Sequence, residues 1–141
     1  MQAVILAGGQ GTRLRPLTLT CPNPLVPLLN VPFLRYAVEP EPLGTGGGLR
    51  NAAGLVDSRV VVLNGDVLTD LDLTAMIAAH AERKARATIA LTAVENPGQY
   101  GVVEADPDGR VLRFLEKPAP GQSTARTVNA GAYVLDRELL D

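Results

Sequence analysis

The chain has 141 residues, 46% of them apolar, and its 13 basic and 15 acidic side chains give a net charge of −2. This composition fits one soluble domain over residues 1–141, and it disfavours nucleic-acid partners because the basic residues are few and scattered. The lone Cys21 excludes an internal disulfide, and no apolar run resembles a membrane span or signal peptide, so we expect a cytoplasmic protein with no membrane partner.

The first predicted element is an apolar strand, Ala3 to Leu6, that runs directly into a glycine-rich stretch. That stretch contains Ala7, Gly8, Gly9, Gln10, Gly11, Thr12, Arg13, Leu14 and Arg15. Glycines let backbone N–H groups approach an anion, and arginine adds a planar fork suited to phosphate oxygens. The pattern favours a polyphosphate cradle at the carboxyl end of a buried strand. The alternative is an ordinary glycine-rich turn between a strand and a helix.

Two common phosphate-binding motifs are excluded by residue type. A P-loop requires a lysine after its glycines, and none follows here. A dinucleotide-binding fingerprint requires a third glycine, but Leu14 stands where that glycine should follow Gly11.

The next segment is rich in proline. It contains Pro16, Pro22, Pro24, Pro27 and Pro32. Proline inside a helix costs roughly 3 kcal/mol, so no ordinary crossover helix fits before the next strand candidate, Arg35 to Val38. Parallel neighbouring strands need a crossover of about a dozen residues. The sequence therefore predicts a sheet that lacks one crossover unit.

Glycines recur in a second loop, Gly44 to Gly48, which we predict to enter a short helix over Leu49 to Ala53. The β-branched run Arg59 to Leu63 then predicts a strand covered on both faces, and Asn64-Gly65-Asp66 follows it. This places Asp66 at the carboxyl end of a buried strand, where open α/β sheets bind ligands.

Asp72 is the predicted N-cap of the following helix. One helix face is expected to carry Leu73, Met76, Ile77 and Ala81, whereas His80 is expected at the surface. The last helical turns should carry Arg83, Lys84 and Arg86, where the helix dipole favours cations.

Four further segments have strand character. Ala87 to Val94 predicts a strand, and Gly101 to Ala105 and Arg110 to Leu115 flank a turn as an antiparallel hairpin. Ala130 to Leu135 predicts the last strand, with a helix beginning at Asp136. The fold class is α/β: an open, mostly parallel, Rossmann-like sheet with an inserted antiparallel hairpin.

Six blocks, in order along the chain, resemble the sugar-1-phosphate nucleotidyltransferases, also called nucleotide-sugar pyrophosphorylases. They are Gly8 to Leu14 with Pro16-Leu17-Thr18 and Pro22 to Pro27, then Glu39 to Gly47, Asn64-Gly65-Asp66, Tyr100 to Val103, Glu116-Lys117-Pro118 and Asn129-Ala130-Gly131. The resemblance implies attack of a sugar 1-phosphate on the α-phosphorus of an NTP, giving an NDP-sugar and pyrophosphate.

The resemblance assigns an NTP-binding set on two segments, of which the second, around Gly44 to Gly48, resembles the family's nucleobase-binding loop. This set comprises Leu6, Ala7, Gly8, Gly9, Gly11, Thr12, Arg13, Pro42, Gly44, Thr45 and Gly46. Arg13 would neutralise charge on the leaving pyrophosphate and counts, with Asp66, as a catalytic residue. Asp66 is also the expected Mg²⁺ ligand, since Mg²⁺ takes one or two carboxylates plus phosphate oxygens. A helix cap is the alternative role for Asp66, although Asp70 and Asp72 are nearer the helix.

The sugar-phosphate side is assigned to five residues. These are Gly101, Glu116, Lys117, Asn129 and Gly131. Glu116 could accept hydrogen bonds from sugar hydroxyls, and Lys117 could pair with the sugar phosphate. Gly101, Asn129 and Gly131 enter by resemblance only.

The chain departs from the family pattern at three points. Asn23 stands where the family has a phosphate-contacting lysine. Pro32-Phe33-Leu34 runs directly into Arg35 without the helix, strand and helix that the family has there, which places a junction near 34–35. The chain stops at Asp141, before the block that usually carries a second metal-binding aspartate. A partial sequence and a genuinely shortened relative both explain this pattern.

Three functional hypotheses follow. The first is an active nucleotidyltransferase, with GTP and mannose 1-phosphate as the expected substrates. Its Glu-Pro-Leu-Gly-Thr-Gly-Gly run resembles guanylyl- and uridylyltransferases more than thymidylyltransferases. The second is a non-catalytic, nucleotide-sugar-binding regulatory relative, which Asn23 motivates. The third, a dinucleotide-binding enzyme, is disfavoured by the absent third glycine. Members of the family often assemble, so the resemblance leaves a homo-oligomer open.

Overall fold

A computed structural model of the chain describes residues 1–6, 37–119 and 121–141. These residues form six strands and two α-helices. The strands are β1 (Gln2–Leu6), β2 (Val60–Asn64), β3 (Ala87–Ala93), β4 (Gly101–Ala105), β5 (Val111–Glu116) and β6 (Thr127–Leu135), and the helices are α1 (Gly44–Asn51) and α2 (Leu73–Glu82). Short 3₁₀ turns cover Ala53–Leu55, Pro97–Gln99 and Arg137–Leu140.

The described strands form one open sheet in the order β1-β2-β6-β4-β5, with β3 also paired to β6. β1 and β2 are parallel, whereas β6 is antiparallel to β2, β3 and β4, and β5 is antiparallel to β4. Strands β1 to β4 therefore share one direction, but among the described pairings only β1–β2 is parallel because β6 separates the others. The predicted α/β fold with an inserted hairpin is confirmed. The structure adds that β6 pairs antiparallel with β2, β3 and β4.

Strand β6 pairs with three strands: β3 occupies one of its edges, and β2 and β4 share the other. β3 follows β6 along most of its length, from Ala87 opposite Leu135 to Ala93 opposite Thr127. On the other side, β2 pairs with the last residues of β6 and β4 pairs with it near Val128. The first half of β6 thus extends past the carboxyl end of β2, and the hairpin of β4 and β5 attaches to that extension.

Helix α2 begins as predicted, since the Asp72 carboxylate accepts a hydrogen bond from the backbone N–H of Ala75 at 2.9 Å. Met76 is buried, and Leu73 and Ile77 pack against the same apolar cluster. Ala81 is exposed, so its predicted place on the buried face is wrong. The helix ends at Glu82, and the basic cluster follows it instead of forming its last turns.

His80 corrects the sequence prediction most clearly. Its side chain is fully buried, not at the helix surface. Nδ1 lies 2.8 Å from the Thr88 hydroxyl and Nε2 lies 3.3 Å from Asp136 Oδ1, which also accepts a hydrogen bond from Arg59 at 3.2 Å. The ring therefore joins α2 to the start of β3 and the end of β6, and Asp136 extends the network to Arg59, directly before β2.

Two apolar clusters cover the two faces of the sheet. Val61, Met76, Ala90, Ala132 and Val134 form the cluster under α2. Val56, Val60, Val62 and Leu140 form the cluster on the α1 face, with Val4, Leu6, Leu49 and Tyr133 packed against it. Alternate residues of β2 thus enter opposite cores, as the continuous β-branched run requires.

The chain before β2 differs from its prediction. Helix α1 begins at Gly44 rather than Leu49, so the second glycine-rich loop forms its first turns. Ala37 and Val38 have no strand structure, and Val38 is exposed, which contradicts that end of the strand predicted over 35–38. The predicted junction near 34–35 lies outside the described residues. In the described ranges, no helix has the length and apolar character needed to cross a membrane.

Candidate functional site

The carboxyl ends of β1 and β2 lie side by side. Leu6 pairs with Asn64, and the backbone N–H of Gly65 donates to the Leu6 carbonyl at 2.7 Å. The strand that leads into the first glycine-rich stretch therefore ends beside the exposed Asp66. The predicted ligands Ala7, Gly8, Gly9, Gly11, Thr12 and Arg13, and also Asn23, lie outside the described residues, so their roles stay predictions.

Helix α1 reaches the same edge from one face of the sheet. Gly48 is buried, and a Cβ built on it would clash with the Glu39 carboxylate and stand 3.8 Å from Cδ2 of Leu6 in β1. The predicted nucleobase-binding positions Pro42, Gly44, Thr45 and Gly46 are all exposed. The first helical turn has no side-chain cap at Leu43, and its N–H groups have no intrahelical acceptor. The second glycine segment therefore presents backbone donors toward solvent.

The residues predicted to bind the sugar phosphate meet where β4 joins β5 and β6. Gly101 is opposite Glu116, and Val102 is opposite Val128, which places Gly101 next to Asn129 across the sheet. A Cβ on Gly101 would stand 2.9 Å from Glu116 Oε2. A glycine at this position therefore lets the Glu116 carboxylate fold over β4.

Lys117 has a strained backbone. Its φ is +42°, in the left-handed region that non-glycine residues rarely adopt, and its N–H donates to the Tyr100 carbonyl at 3.2 Å. Such strain, of order 1–3 kcal/mol, is commonly found at binding sites, where the surrounding structure holds it in place. The left-handed conformation of Lys117 turns the chain directly after Glu116.

The side-chain amide of Asn129 is hydrogen-bonded at both ends. Its Oδ1 accepts the N–H of Gly131 at 2.8 Å, and its Nδ2 donates to the Tyr133 hydroxyl at 2.5 Å. Gly131 has φ +74° and lies at the irregularity in the β3–β6 register. The same glycine lies against Asn64, which connects the residues predicted to bind the sugar phosphate to the Asp66 edge.

An ion pair fixes the hairpin that carries Gly101 and Glu116. Arg113 donates to both oxygens of Glu104, at 2.7 and 3.0 Å, and the Ser123 hydroxyl donates to the same carboxylate at 2.6 Å. These bonds, led by the one from Arg113, lower the pKa of Glu104. The pKa of Arg113 is raised by the same contact.

Two oxygen-bearing side chains lie at the carboxyl end of β2, those of Asn64 and the predicted metal ligand Asp66. In the part of the chain that the structure describes, no three His, Cys, Asp or Glu side chains are grouped to hold a metal ion. Asn64 Oδ1, two residues before Asp66, is buried and has no hydrogen-bond partner among the described residues. One exposed carboxylate and an amide oxygen suit Mg²⁺, which keeps several positions for water and phosphate.

An open cavity of about 570 Å³ lies next to this edge. It is lined by Val67, Leu68, Thr69, Asp70, Thr92 and Ala130. The loop after Asp66 forms one wall, and β3 and β6 form the other. A substrate bound at the edge would therefore have room between the loop and the sheet.

Two residues of this region were missed by sequence reasoning. Asn64 stood inside a recognised block, but only Asp66 was assigned a role there. Tyr133 carried no sequence signal, because residues four apart in a regular strand are about 13 Å apart and do not touch.

The family model and the curated relatives that match this chain agree on one type of protein. A model of the Nucleotidyl transferase family matches residues 2–38 and 30–141. The mannose-1-phosphate guanylyltransferase of Mycobacterium tuberculosis is 35% identical over 182 aligned positions, which cover 100% of this chain and 50% of that protein. The UTP--glucose-1-phosphate uridylyltransferase of Synechocystis is 31% identical, with 100% of this chain and 50% of the relative covered. The chain thus spans about half the length of the curated relatives it matches.

Solved structures agree with the fold. HddC from Yersinia pseudotuberculosis, complexed with GMP-PN, is 27% identical with a TM-score of 0.69, covering 97% of this chain and 77% of that one. A putative glucose-1-phosphate thymidylyltransferase from Bacillus anthracis superposes with a TM-score of 0.76 at 21% identity, covering 99% and 73% of the two chains. The second similarity concerns the fold alone.

Proposed function

The chain belongs to the Nucleotidyl transferase family, and from that premise we propose that it transfers a nucleotidyl group from an NTP to a sugar 1-phosphate. The products are an NDP-sugar and pyrophosphate. The observation that carries the proposal is the hydrogen bond from Gly65 to Leu6, which puts Asp66 beside the strand end that feeds the glycine-rich stretch. Phosphoryl-type transfer depends on positioning and electrostatics, so this site needs no nucleophilic side chain of its own.

In the proposed arrangement the NTP lies over the carboxyl ends of β1 and β2. Backbone donors of Gly8 to Thr12 would hold the triphosphate, and Arg13 would neutralise the leaving pyrophosphate. The exposed first turn of α1, with Gly44 to Gly46, would receive the base. Each of these groups stabilises charge or fixes orientation and forms no covalent bond.

Asp66 would hold the divalent cation, with Mg²⁺ favoured because the donors are hard oxygens. A cation bound there supplies charge neutralisation on the phosphates. Asn64 Oδ1 would be a further oxygen at the same end of β2.

The sugar 1-phosphate would approach from the hairpin side. Glu116 would accept hydrogen bonds from sugar hydroxyls, the Asn129 amide would both accept and donate them, and Lys117 would pair with the phosphate. The adjacency of Gly101 to both Glu116 and Asn129 supports this assignment. We favour GTP and mannose 1-phosphate, because guanylyltransferases recur among the relatives and one matched structure holds GMP-PN. A cytoplasmic location and a homo-oligomer stay predictions.

Pyrophosphate release from GTP, UTP, ATP and dTTP, each with mannose 1-phosphate or glucose 1-phosphate, tests the proposal. We expect release with at least one pair and a loss of about 100-fold or more in kcat for Asp66→Asn. Asp57→Asn is the matched control, since Asp57 is an exposed carboxylate at the other end of the same strand. Equal activity of Asp66→Asn and the wild type would exclude the metal-binding role.

A second candidate function is a non-catalytic relative that binds a nucleotide sugar and regulates an active partner. Asn23 favours it, because a neutral amide cannot supply the charge of the family's lysine. Binding of GDP-mannose without pyrophosphate release from any pair would support this alternative. Under the catalytic proposal, Asn23→Lys should raise the rate, and an unchanged rate would mean that the charge is dispensable.

We also propose that 1–141 is one nucleotidyltransferase domain with a junction near 34–35. The two segments matched by the family model overlap at residues 30–38, which supports this placement. The 182 aligned positions of the Mycobacterium tuberculosis relative exceed the 141 residues of this chain, so the relative has positions without a counterpart here.

A further inference from the structure

The orientation of the Asn129 amide is fixed by its two hydrogen bonds. Gly131 offers a backbone N–H, which can only donate, so the atom 2.8 Å from it must be the amide oxygen. The amide nitrogen is then the atom that donates to the Tyr133 hydroxyl oxygen. Both ends of an exposed side chain are therefore held within the same strand.

Tyr133 is itself fixed in place. Its half-buried ring packs against the apolar cluster on the α1 face, which includes Val60 and Val62. In the sheet, Tyr133 is opposite Val62 on one side and Ile89 on the other. A ring that packs against this cluster from a strand paired on both sides cannot move its hydroxyl far, so the hydroxyl is a rigid acceptor for the Asn129 amide.

We propose that Tyr133 is a positioning residue of the sugar-phosphate site and acts through Asn129. This inference rests on the proposed function, which places Asn129 in the sugar site. Two of the four hydrogen-bonding positions of the amide are used internally, and one N–H and one oxygen lone pair remain. A donor and an acceptor on one planar group match two neighbouring hydroxyls of a hexose 1-phosphate. Tyr133 removes the rotational freedom that the amide would otherwise lose on binding.

Tyr133→Phe tests the proposal because it keeps the packed ring and removes only the oxygen. With mannose 1-phosphate varied at saturating GTP, we expect its KM to rise about two- to tenfold, the effect of one neutral hydrogen bond. The kcat and the KM for GTP should stay within about twofold of the wild type. In an Asn129→Ala background, Tyr133→Phe should add no further increase, because the amide it positions is gone.

Thr127→Val is the matched control on the same strand. The Thr127 hydroxyl donates to the Val103 carbonyl at 2.6 Å and does not contact Asn129. Its removal costs a hydrogen bond of β6 and should leave the KM for mannose 1-phosphate unchanged. A similar KM increase in this variant would mean that general weakening of β6, not the Tyr133 contact, moves the sugar affinity.

A structural readout independent of turnover is the side-chain NH₂ signal of Asn129 in ¹⁵N-correlated NMR, assigned by its loss in Asn129→Ala. We expect this signal to shift in Tyr133→Phe and to stay in place in Thr127→Val. Wild-type turnover with an unchanged KM in Tyr133→Phe, or additive effects in the double variant, would overturn the inference alone. Absence in the wild type of both turnover with every nucleotide–sugar pair tested above and binding of either sugar 1-phosphate would overturn the proposed function and this inference with it.

Discussion

Gly131 lies so close to Asn64 that a Cβ on the glycine would stand 3.0 Å from Asn64 Nδ2 and 3.2 Å from its Cβ. The Val67 side chain is equally close, with Cγ2 at 3.0 Å from the same position. This contact joins the β6 irregularity, which positions Asn129, to the loop that carries Asp66. The candidate metal side and the candidate sugar side of the site thus depend on one residue without a side chain.

Gly131→Ala should destabilise the fold by about 2–3 kcal/mol, because alanine at φ +74° is strained and its methyl group crowds Asn64 and Val67. Urea unfolding measures this loss. The matched control is Gly121→Ala, which has φ +83° but no atom within 4 Å of the added Cβ, and should cost only about 1–2 kcal/mol. Equal losses in the two variants would show that the contact with Asn64 carries no energy.

Local signals predicted much of this fold. Asp72 as a cap and the turn around Gly109 depend on neighbours in sequence, and both are present. The β-branched run before Asn64 predicted a strand buried on both faces, and Val60 to Val62 are buried. The exposed Asp66 at the end of that strand follows from the same pattern.

Other features depended on contacts that local patterns do not specify. His80 is buried because Thr88 and Asp136, which lie 8 and 56 residues away, supply partners for both ring nitrogens. The contact between Asn129 and Tyr133 needs the irregularity at Gly131, since a regular strand would separate them. The antiparallel position of β6 between β2 and β4 likewise depends on long-range pairing.

The stability of the fold should depend on Asp136 in acid. The hydrogen bond with His80, and then that from Arg59, lower the pKa of Asp136 in the folded state. The stabilisation from this carboxylate is therefore fully present above its unfolded pKa of about 3.9 and is lost as the pH falls through the lowered folded pKa. Urea midpoints from about pH 5 to about pH 2 should fall more steeply for the wild type than for Asp136→Asn.

Glu104→Gln provides the comparison for this pH effect. The pKa of Glu104 is also lowered, chiefly by the hydrogen bond from Arg113, at a separate place in the sheet. Glu104→Gln should independently reduce the fall of the urea midpoint at low pH. The double variant should then show the sum of the two reductions. Parallel curves for Asp136→Asn and the wild type would contradict the stabilising role of the Asp136 carboxylate.

Gly46 should be a position at which side-chain size changes nucleotide binding without changing the fold. No atom lies within 4 Å of a Cβ built on it, and it is exposed in the first turn of α1. Gly46→Ala should therefore fold normally and raise the KM for the NTP about tenfold by holding the base away from the backbone. Gly54→Ala, which is equally unobstructed and lies beyond α1, is the control. A normal KM in Gly46→Ala would place the base elsewhere.

Gly101 differs from Gly46 because the Glu116 carboxylate already occupies the space that a Cβ on Gly101 would take. The added methyl group would stand 2.9 Å from Oε2, so Gly101→Ala must turn the Glu116 side chain away from β4. The strands themselves stay paired, since the displaced atoms are the end of a flexible side chain, and unfolding should shift by less than about 1 kcal/mol. We expect the KM for the sugar 1-phosphate to rise about tenfold with an unchanged KM for the NTP.

Gly98→Ala, whose Cβ would make an ordinary 3.9 Å contact with the Pro118 carbonyl, should leave both KM values unchanged. If Gly101→Ala keeps its affinity for the sugar phosphate, the Glu116 carboxylate does not contact the sugar from this position.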